Sequence, residues 1–258
     1  MPAKKRDYYY NKAKQMGYRS RASFKLQFIN KKHHLIKKGD TVVDLGAAPG
    51  GWLQVAKELN GGGQVIGVDL QRIEPIEGVE TIKGDMTAPE TQAKIFELVD
   101  EVDAVICDAA PNLSGNWALD HARSIDLATV ALEVATRLLK NGGHFVVKVF
   151  QGDLYDGYLK KVEKHFSYAT TYKSQASREQ SAEIYVIGKG FLTTSLRKGN
   201  LIDVTIDAMG KTGDGIAHVD DFVVFVKGGN VGDKLKVKIR DVKPSFAFGD
   251  IVEKEKTP

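Results

Sequence analysis

Three short stretches of this sequence hold side chains whose types and spacing suit chemistry on a bound small molecule. The first is Asp44-Leu-Gly-Ala-Ala-Pro-Gly-Gly-Trp52, a glycine-rich segment that follows an apolar run. A glycine-rich turn between a strand and a helix lets backbone approach a ligand at the carboxyl edge of a sheet. The dinucleotide fingerprint G-x-G-x-x-G is broken here, because the order is Gly46-Ala-Ala-Pro-Gly50-Gly51 and Pro49 stiffens the turn. A carboxylate at Asp44 suits a cationic ligand, such as a sulfonium amino acid, better than a pyrophosphate. Asp69, at the end of the next apolar run, is spaced to accept hydrogen bonds from both hydroxyls of a ribose. Asp85 follows the third strand, in Lys83-Gly-Asp-Met86, where an adenine amino group is expected. The second stretch is Val146-Val-Lys-Val-Phe150, which puts the charge of Lys148 inside a run that otherwise reads as buried. Lysine is almost never fully buried without a reason, the plain alternative being an edge lysine that reaches solvent. The third is Asp108, an acid that ends the fourth apolar run. Any one acid at a strand end could equally cap a helix or face water; their common register is what points to a ligand.

Stepping outward, Thr41 to Leu45, Gln64 to Leu70, Val102 to Asp108 and His144 to Phe150 read as strands. They are short, rich in Val and Ile, and continuous rather than alternating, as strands buried on both faces should be. Helical patterns lie between them. The clearest runs from about Leu119 to Lys140, with the stripe Leu127, Ala131, Val134 or Ala135 and Leu138, and Asn141-Gly142 supplies a stop. Strand alternating with helix predicts a mainly parallel sheet covered on both faces. Tyr168 to Gln175 and Glu183 to Ile187 look like two strands with too short a connection for a parallel crossover, so an antiparallel hairpin should end the sheet. From about residue 193 the pattern changes. Leu201 to Ile206, Phe222 to Val226 and Leu235 to Ile239 alternate at period two between glycine-containing turns, which predicts a small closed β-barrel. In that barrel Leu235, Val237 and Ile239 should point inward, and Lys234, Lys236, Lys238 and Arg240 should line the outer face. The chain therefore divides as 1–192 and 193–258.

The net charge of +4 conceals an asymmetry. Residues 1–38 carry 12 Lys and Arg against one acid, 39–191 carry 14 against 22, and 192–258 carry 11 against 10. A basic arm (Lys4, Lys5, Arg6, Lys12 and Lys14, interleaved with Tyr8, Tyr9, Tyr10 and Tyr18) on an acidic body suggests a polyanionic partner, nucleic acid in the first instance. A merely solvated tail is the other reading. The single cysteine, Cys107, excludes an internal disulfide and a cysteine-built zinc site, and fits a reducing cytoplasm. The six histidines are scattered, so no metal is expected. No apolar run approaches the roughly 20 residues of a membrane helix, and the charged start of the chain has no secretory signal behind it.

The segments DLGAAPGGW at 44–52, CDAAPN at 107–112 and VVKVFQG at 146–152 resemble the FtsJ/RlmE group of ribose 2′-O-methyltransferases, over roughly residues 5 to 191. The resemblance implies a class I Rossmann-like methyltransferase with S-adenosyl-L-methionine as cofactor, and Gly50, Trp52, Asp69, Asp85 and Asp108 lining its pocket. It also implies a Lys-Asp-Lys-Glu tetrad, matched here by Lys25, Asp108, Lys148 and Glu183. The substrate it implies is a uridine ribose of large-subunit ribosomal RNA, as free RNA or within the large ribosomal subunit, for a cytoplasmic protein acting as a monomer. The tail from about 193 is similar to a TRAM domain, an RNA-binding barrel. The bacterial members end at the catalytic domain, so the appended barrel points to an archaeal member.

The implied chemistry suits these side chains. A ribose hydroxyl is a poor nucleophile at neutral pH, while a sulfonium methyl is already activated. The protein must align oxygen, carbon and sulfur and remove a proton during transfer. Lysine is a base only when neutral, and partial burial of Lys148 near a second cation, Lys25, favours that form. Lys148 is therefore expected to be the base or the group that positions the hydroxyl. Lys25 and Glu183 support it, and Asp108 bridges cofactor and substrate. Only the resemblance singles out Lys25, one base among many in its segment, and Glu183, which could equally sit on an edge strand. The competing readings are a tRNA or cap ribose methyltransferase, a nucleotide-dependent oxidoreductase and a non-enzymatic RNA-binding scaffold. The broken glycine fingerprint argues against the oxidoreductase, and an intact cofactor loop and tetrad argue against the scaffold.

Overall fold

The continuous apolar runs become strands because each buries both of its faces, and the helices between them fall on whichever side their apolar stripe is needed. In this computed structural model, which describes residues 8–178, 181–219 and 222–254, the chain begins with α1 (Tyr8–Gln15) and α2 (Ser23–His33). Lys4, Lys5 and Arg6 lie outside the described residues. Then follow β1 (Val42–Leu45), α3 (Gly51–Asn60), β2 (Val65–Asp69), β3 (Glu80–Lys83), α4 (Pro89–Leu98), β4 (Val102–Cys107), α5 (Trp117–Leu138), β5 (Leu139–Phe150), α6 (Tyr155–Glu163), β6 (Phe166–Tyr172) and β7 (Glu183–Phe191). The seven strands form one sheet in the order β3-β2-β1-β4-β5-β7-β6. All neighbours are parallel except β7, which runs antiparallel to both β5 and β6. The expected terminal hairpin is present, with β7 slotted inside β6.

Two apolar layers sandwich the sheet. Leu26 and Ile29 of α2 and Trp52, Leu53, Val55 and Ala56 of α3 cover one face, against Val42, Ile106, Val146, Tyr185 and Ile187. The other face meets Ile95 of α4, Ile125 to Leu138 of α5, and Tyr158 and Val162 of α6. Local signals explain several boundaries. Pro89 opens α4, the Asn116 side chain caps α5 by accepting from Leu119 N–H at 3.3 Å, and Gly61 closes α3 in the left-handed region at φ 56°. One boundary differs from expectation. The long helix stops at Leu138 and passes into β5 at Leu139, ahead of Asn141-Gly142. Leu139 is buried and pairs with Val102, so its place in the sheet overrides the later glycine stop.

The remaining strands are β8 (Leu201–Thr205), β9 (Ala208–Met209), β10 (Gly215–Val219), β11 (Phe222–Val226), β12 (Lys234–Val242) and β13 (Phe246–Lys254), in the order β8-β12-β13-β11-β10-β9. The sheet curls into a small barrel, and the chain just past β8 meets β10 where Asp207 N–H donates to Ile216 C=O at 2.9 Å. Leu235, Val237 and Ile239 fill its interior as expected, with Val204, Ile206, Ala217, Val224 and Val226. Gly249 is required at its crossing, since a Cβ there would stand 2.1 Å from Val237 Cγ1. The basic residues of β12 do face outward, but acids stand beside them. Lys236 lies between Asp203 and Glu253, Lys238 opposes Asp250, and Arg240 pairs with Asp250 at 3.2 Å. The barrel meets the first sheet at the start of β5, where Asn141 Nδ2 donates to Pro244 C=O at 2.7 Å, and beside Gly190 near the end of β7. Among the described residues no helix is long and apolar enough to cross a membrane.

Candidate active site

At the carboxyl edge of the parallel strands lies a cavity of about 660 Å³. Its lining includes Gly46 and Ala48 after β1, Asp69 to Gln71 after β2, Gly84 to Thr87 after β3, Asp108 to Asn112 after β4, and Arg123, Leu127 and Val130 of α5. The volume is that of a small-ligand site. Asp69 fixes the first loop while lining the cavity: its Oδ2 accepts from Ala48 N–H at 2.9 Å and its Oδ1 from Gln71 N–H at 2.8 Å. Asp85 likewise accepts from Thr87 N–H at 2.8 Å. Gly46, at φ 76°, brings the first loop against the fourth, and a Cβ there would stand 2.4 Å from Ala109 Cβ. Four aspartates (Asp69, Asp85, Asp108 and Asp126) and one arginine against apolar walls disfavour a pyrophosphate and accommodate a ribose, a purine and a cationic tail. The donor set thus fits S-adenosylmethionine.

Asp44, Gly50 and Trp52 stand elsewhere. Asp44 is buried beneath the cavity, and burial first, then Asp108 and Asp69, pushes its carboxyl well above the usual range. Neither of its oxygens has a hydrogen-bond partner, which accords with a neutral acid. Gly50, at φ 105°, caps α3 and abuts the Arg19 side chain. Arg19 donates from Nη1 to Pro49 C=O at 3.1 Å and to Glu74 C=O at 2.6 Å, and from Nη2 to Pro75 C=O at 2.8 Å, latching the first loop to the segment after β2. Trp52 is buried, tilted against Tyr185, and its indole N–H donates to Ala22 C=O at 2.8 Å. It ties α3 to the start of α2, and so fixes the turn of helix that carries Lys25.

Lys25, Asp108, Lys148 and Glu183 converge beside the cavity. Lys148 Nζ donates to Asp108 C=O at 2.5 Å and lies 3.2 Å from Asp108 Oδ1. Lys25 Nζ lies 3.0 Å from Glu183 Oε2. The two lysine side chains are only 6% and 5% exposed, so both ammonium groups depend on these oxygens. Burial raises the Glu183 carboxyl, but Lys25 and Lys148 together outweigh it and hold the group below the usual glutamate range. Tyr185 links the pairs. It lies opposite Lys148 in the β5–β7 register, donates to Asp108 Oδ1 at 2.8 Å, and presents its ring 5.7 Å from Lys25 Nζ. Burial and the neighbouring acids push its phenol well above the usual range, so it stays a donor. Sequence reading missed Tyr185, although its place two residues after Glu183 on one strand put both on one face. Among the described residues no group of three or more metal-binding side chains occurs.

The tyrosines of the arm divide. Tyr9 packs on Phe24 and Phe28, and Tyr18 donates to Glu58 Oε2 at 2.7 Å, whereas Tyr8 and Tyr10 are exposed.

Comparison with known proteins agrees with the fold. The family model for FtsJ-like methyltransferases matches residues 18–191, and that for the TRAM domain matches 196–252. The ribosomal RNA large subunit methyltransferase E of Methanocella arvoryzae is 90% identical over 99% of this chain and 100% of its own length. The protein of that name from Methanosarcina mazei is 61% identical over 98% of this chain and 95% of its own. A Plasmodium falciparum structure assigned as a ribosomal RNA methyltransferase superposes with a TM-score of 0.62 at 28% identity, covering 67% of this chain and 98% of that one. The resemblance first visible in three short motifs therefore extends along the fold, and the chain belongs to the FtsJ-like methyltransferase family.

Proposed function

We propose that this protein transfers the methyl group of S-adenosylmethionine to the 2′-hydroxyl of a uridine ribose in large-subunit ribosomal RNA. The observation that carries the reading is the convergence of two buried lysine–carboxylate pairs, Lys148 with Asp108 and Lys25 with Glu183, at the rim of an acidic, nucleoside-sized cavity. The names of the Methanocella and Methanosarcina relatives support the choice of large-subunit RNA.

Bound in the cavity, S-adenosylmethionine supplies a methyl group already activated by its sulfonium sulfur. Asp69 accepts the ribose hydroxyls of the cofactor with lone pairs left over from Ala48 and Gln71, and Asp85 meets the adenine. Gly50 and Trp52 serve the cofactor from behind, by capping α3 and by fixing the start of α2. Asp108 borders the cavity and holds Lys148, so it joins the cofactor side to the substrate side. Lys148 fixes the target hydroxyl and, in its neutral amine form, takes the hydroxyl proton as the methyl group is transferred. Lys25 and Glu183 hold the neighbouring wall, and Tyr185 keeps Asp108 from turning. Residues 1–192 form the catalytic domain and 193–258 the RNA-binding barrel. In this reading the protein acts in the cytoplasm as a monomer. Mapping 2′-O-methylation in total RNA from a deletion strain tests the reading, which expects one large-subunit uridine to lose its mark. Retention of every large-subunit mark would refute it.

A further inference from the structure

Lys148 and Glu183 occupy one end of the β5–β7 pair, and the barrel packs against the other, beside Asn141 and Gly190. From Glu183 to Lys189 along β7 the rise of 3.2–3.4 Å per residue gives about 20 Å. An RNA that reaches both the tetrad and the barrel must cross the surface between them. That surface can be read from the register. Glu183, Tyr185, Ile187 and Lys189 share one face of β7, and on the same face of β6 Tyr172 opposes Tyr185, Thr170 opposes Ile187 and Tyr168 opposes Lys189. Because α2 buries Tyr185 and Ile187, the open part of this face is its margin: Lys31 and Lys32 at the end of α2, the half-buried Tyr172 and Lys189, and Tyr168.

The chemistry of this strip is one-sided. Neither α2 nor β6 contains an Asp or Glu. Lys32 Nζ stands 5.0 Å over the Tyr172 ring, and His33 meets the same ring edge-on at 5.4 Å. Tyr168 is 56% exposed. Lys31, Lys32 and Lys189 have no carboxylate partner among the described residues. The nearby histidines register the crowding of cations. His33 is lowered by burial and then by Lys32 and Lys189, and His144 is pushed down to about 4 by burial and then by Lys189 and Lys37. The outer face of β12 offers no such field, because its bases stand beside acids.

We infer that the strip formed by Lys32, Tyr172, Tyr168 and Lys189 is a contact surface for the substrate RNA between the target nucleotide and the barrel. The lysines take phosphates, and the open ring of Tyr168 stacks on an unpaired base. The inference rests on the RNA-methylation reading above.

The test uses the full-length protein, unmodified large-subunit ribosomal RNA transcribed in vitro as probe, and binding measured across a salt series. The double variant Lys32→Glu/Lys189→Glu should weaken binding by about 10-fold or more. It should also make the slope of log K against log salt shallower by about 1.4–1.8, the loss of two phosphate contacts. Tyr168→Ala should weaken binding with an unchanged slope. Melting temperature and S-adenosylhomocysteine affinity should hold. If charge reversal disturbs either, Lys32→Gln/Lys189→Gln decides by the same slope. Unchanged affinity and slope would overturn the inference. So would normal binding of free RNA with weakened methylation of assembled large subunits, which would assign the strip to a ribosomal protein. Absence of any RNA binding or methylation by the unaltered protein would instead remove the reading on which the strip depends.

Discussion

Replacing Lys25 by methionine removes the ammonium group from a 3.0 Å pair and leaves the Glu183 carboxylate, 21% exposed, facing only Lys148 at longer range. Breaking one partner of a buried pair costs about 3–5 kcal/mol, whereas replacing both partners with apolar groups is often neutral. For a chain of this size 1 kcal/mol shifts the melting temperature by about 2–4 °C, so Lys25→Met should lower the catalytic transition by about 6–20 °C. Glu183→Met should do the same by stranding Lys25. The double variant should recover most of the loss while remaining inactive. The pH dependence has a definite sign. Because Glu183 is held below its ordinary range in the folded state, its contribution is present at neutral pH and is lost as pH falls through that lowered value. The gap between the natural protein and Lys25→Met should therefore narrow in acid. Differential scanning calorimetry of the three variants from pH 7 downward makes the measurement. Equal, additive losses in the double variant, or a gap that widens in acid, would refute the reasoning.

Three further outcomes follow from the geometry. Lys148→Ala should reduce methyl transfer by roughly 100-fold or more with S-adenosylhomocysteine affinity retained in calorimetry, and Lys148→Arg should not rescue it, because arginine stays protonated. Gly46→Ala forces a Cβ to 2.4 Å from Ala109 Cβ at a φ of 76°, so it should cost about 1–3 kcal/mol of stability and weaken cofactor binding, both read in one thermal-shift titration. A chain ending near Phe191 should keep cofactor affinity and the chemical step but raise the RNA KM in steady-state assays.

What the sequence disclosed follows from which physical signals are local. Strands β1, β2, β4 and β5 were legible because burial on both faces writes a continuous apolar run, and Lys148 stood out because it interrupts one. The end of α5 was misread, since the pairing of Leu139 with Val102 is a tertiary contact that outweighs a glycine two residues beyond Lys140. In the barrel, β9, β10 and β13 were missed. Gly215-Ile-Ala-His-Val219 and the glycine inside Phe246–Lys254 lack strong strand propensity, and both are placed by pairing with β11 and β12. The outward alternation of Lys234 to Arg240 was correct. Its neutralisation by Asp203, Glu253 and Asp250 depends on cross-strand register, which no single strand displays. Lys25 illustrates the limit most clearly. Nothing local distinguishes it from its neighbours, and only the fold brings it against a glutamate 158 residues away.

The central claim is the transfer of a methyl group to a ribose oxygen, and the linkage of that methyl can be measured directly. Purified protein is incubated with S-adenosylmethionine labelled in its methyl group and unmodified large-subunit RNA, and the product is hydrolysed in alkali. A 2′-O-methyl ribose cannot assist cleavage of the adjoining phosphodiester, so the account predicts label in one alkali-resistant dinucleotide carrying a methylated uridine. Lys148→Ala should leave that dinucleotide unlabelled. Label recovered in mononucleotides, as methylation of a base would give, would contradict it.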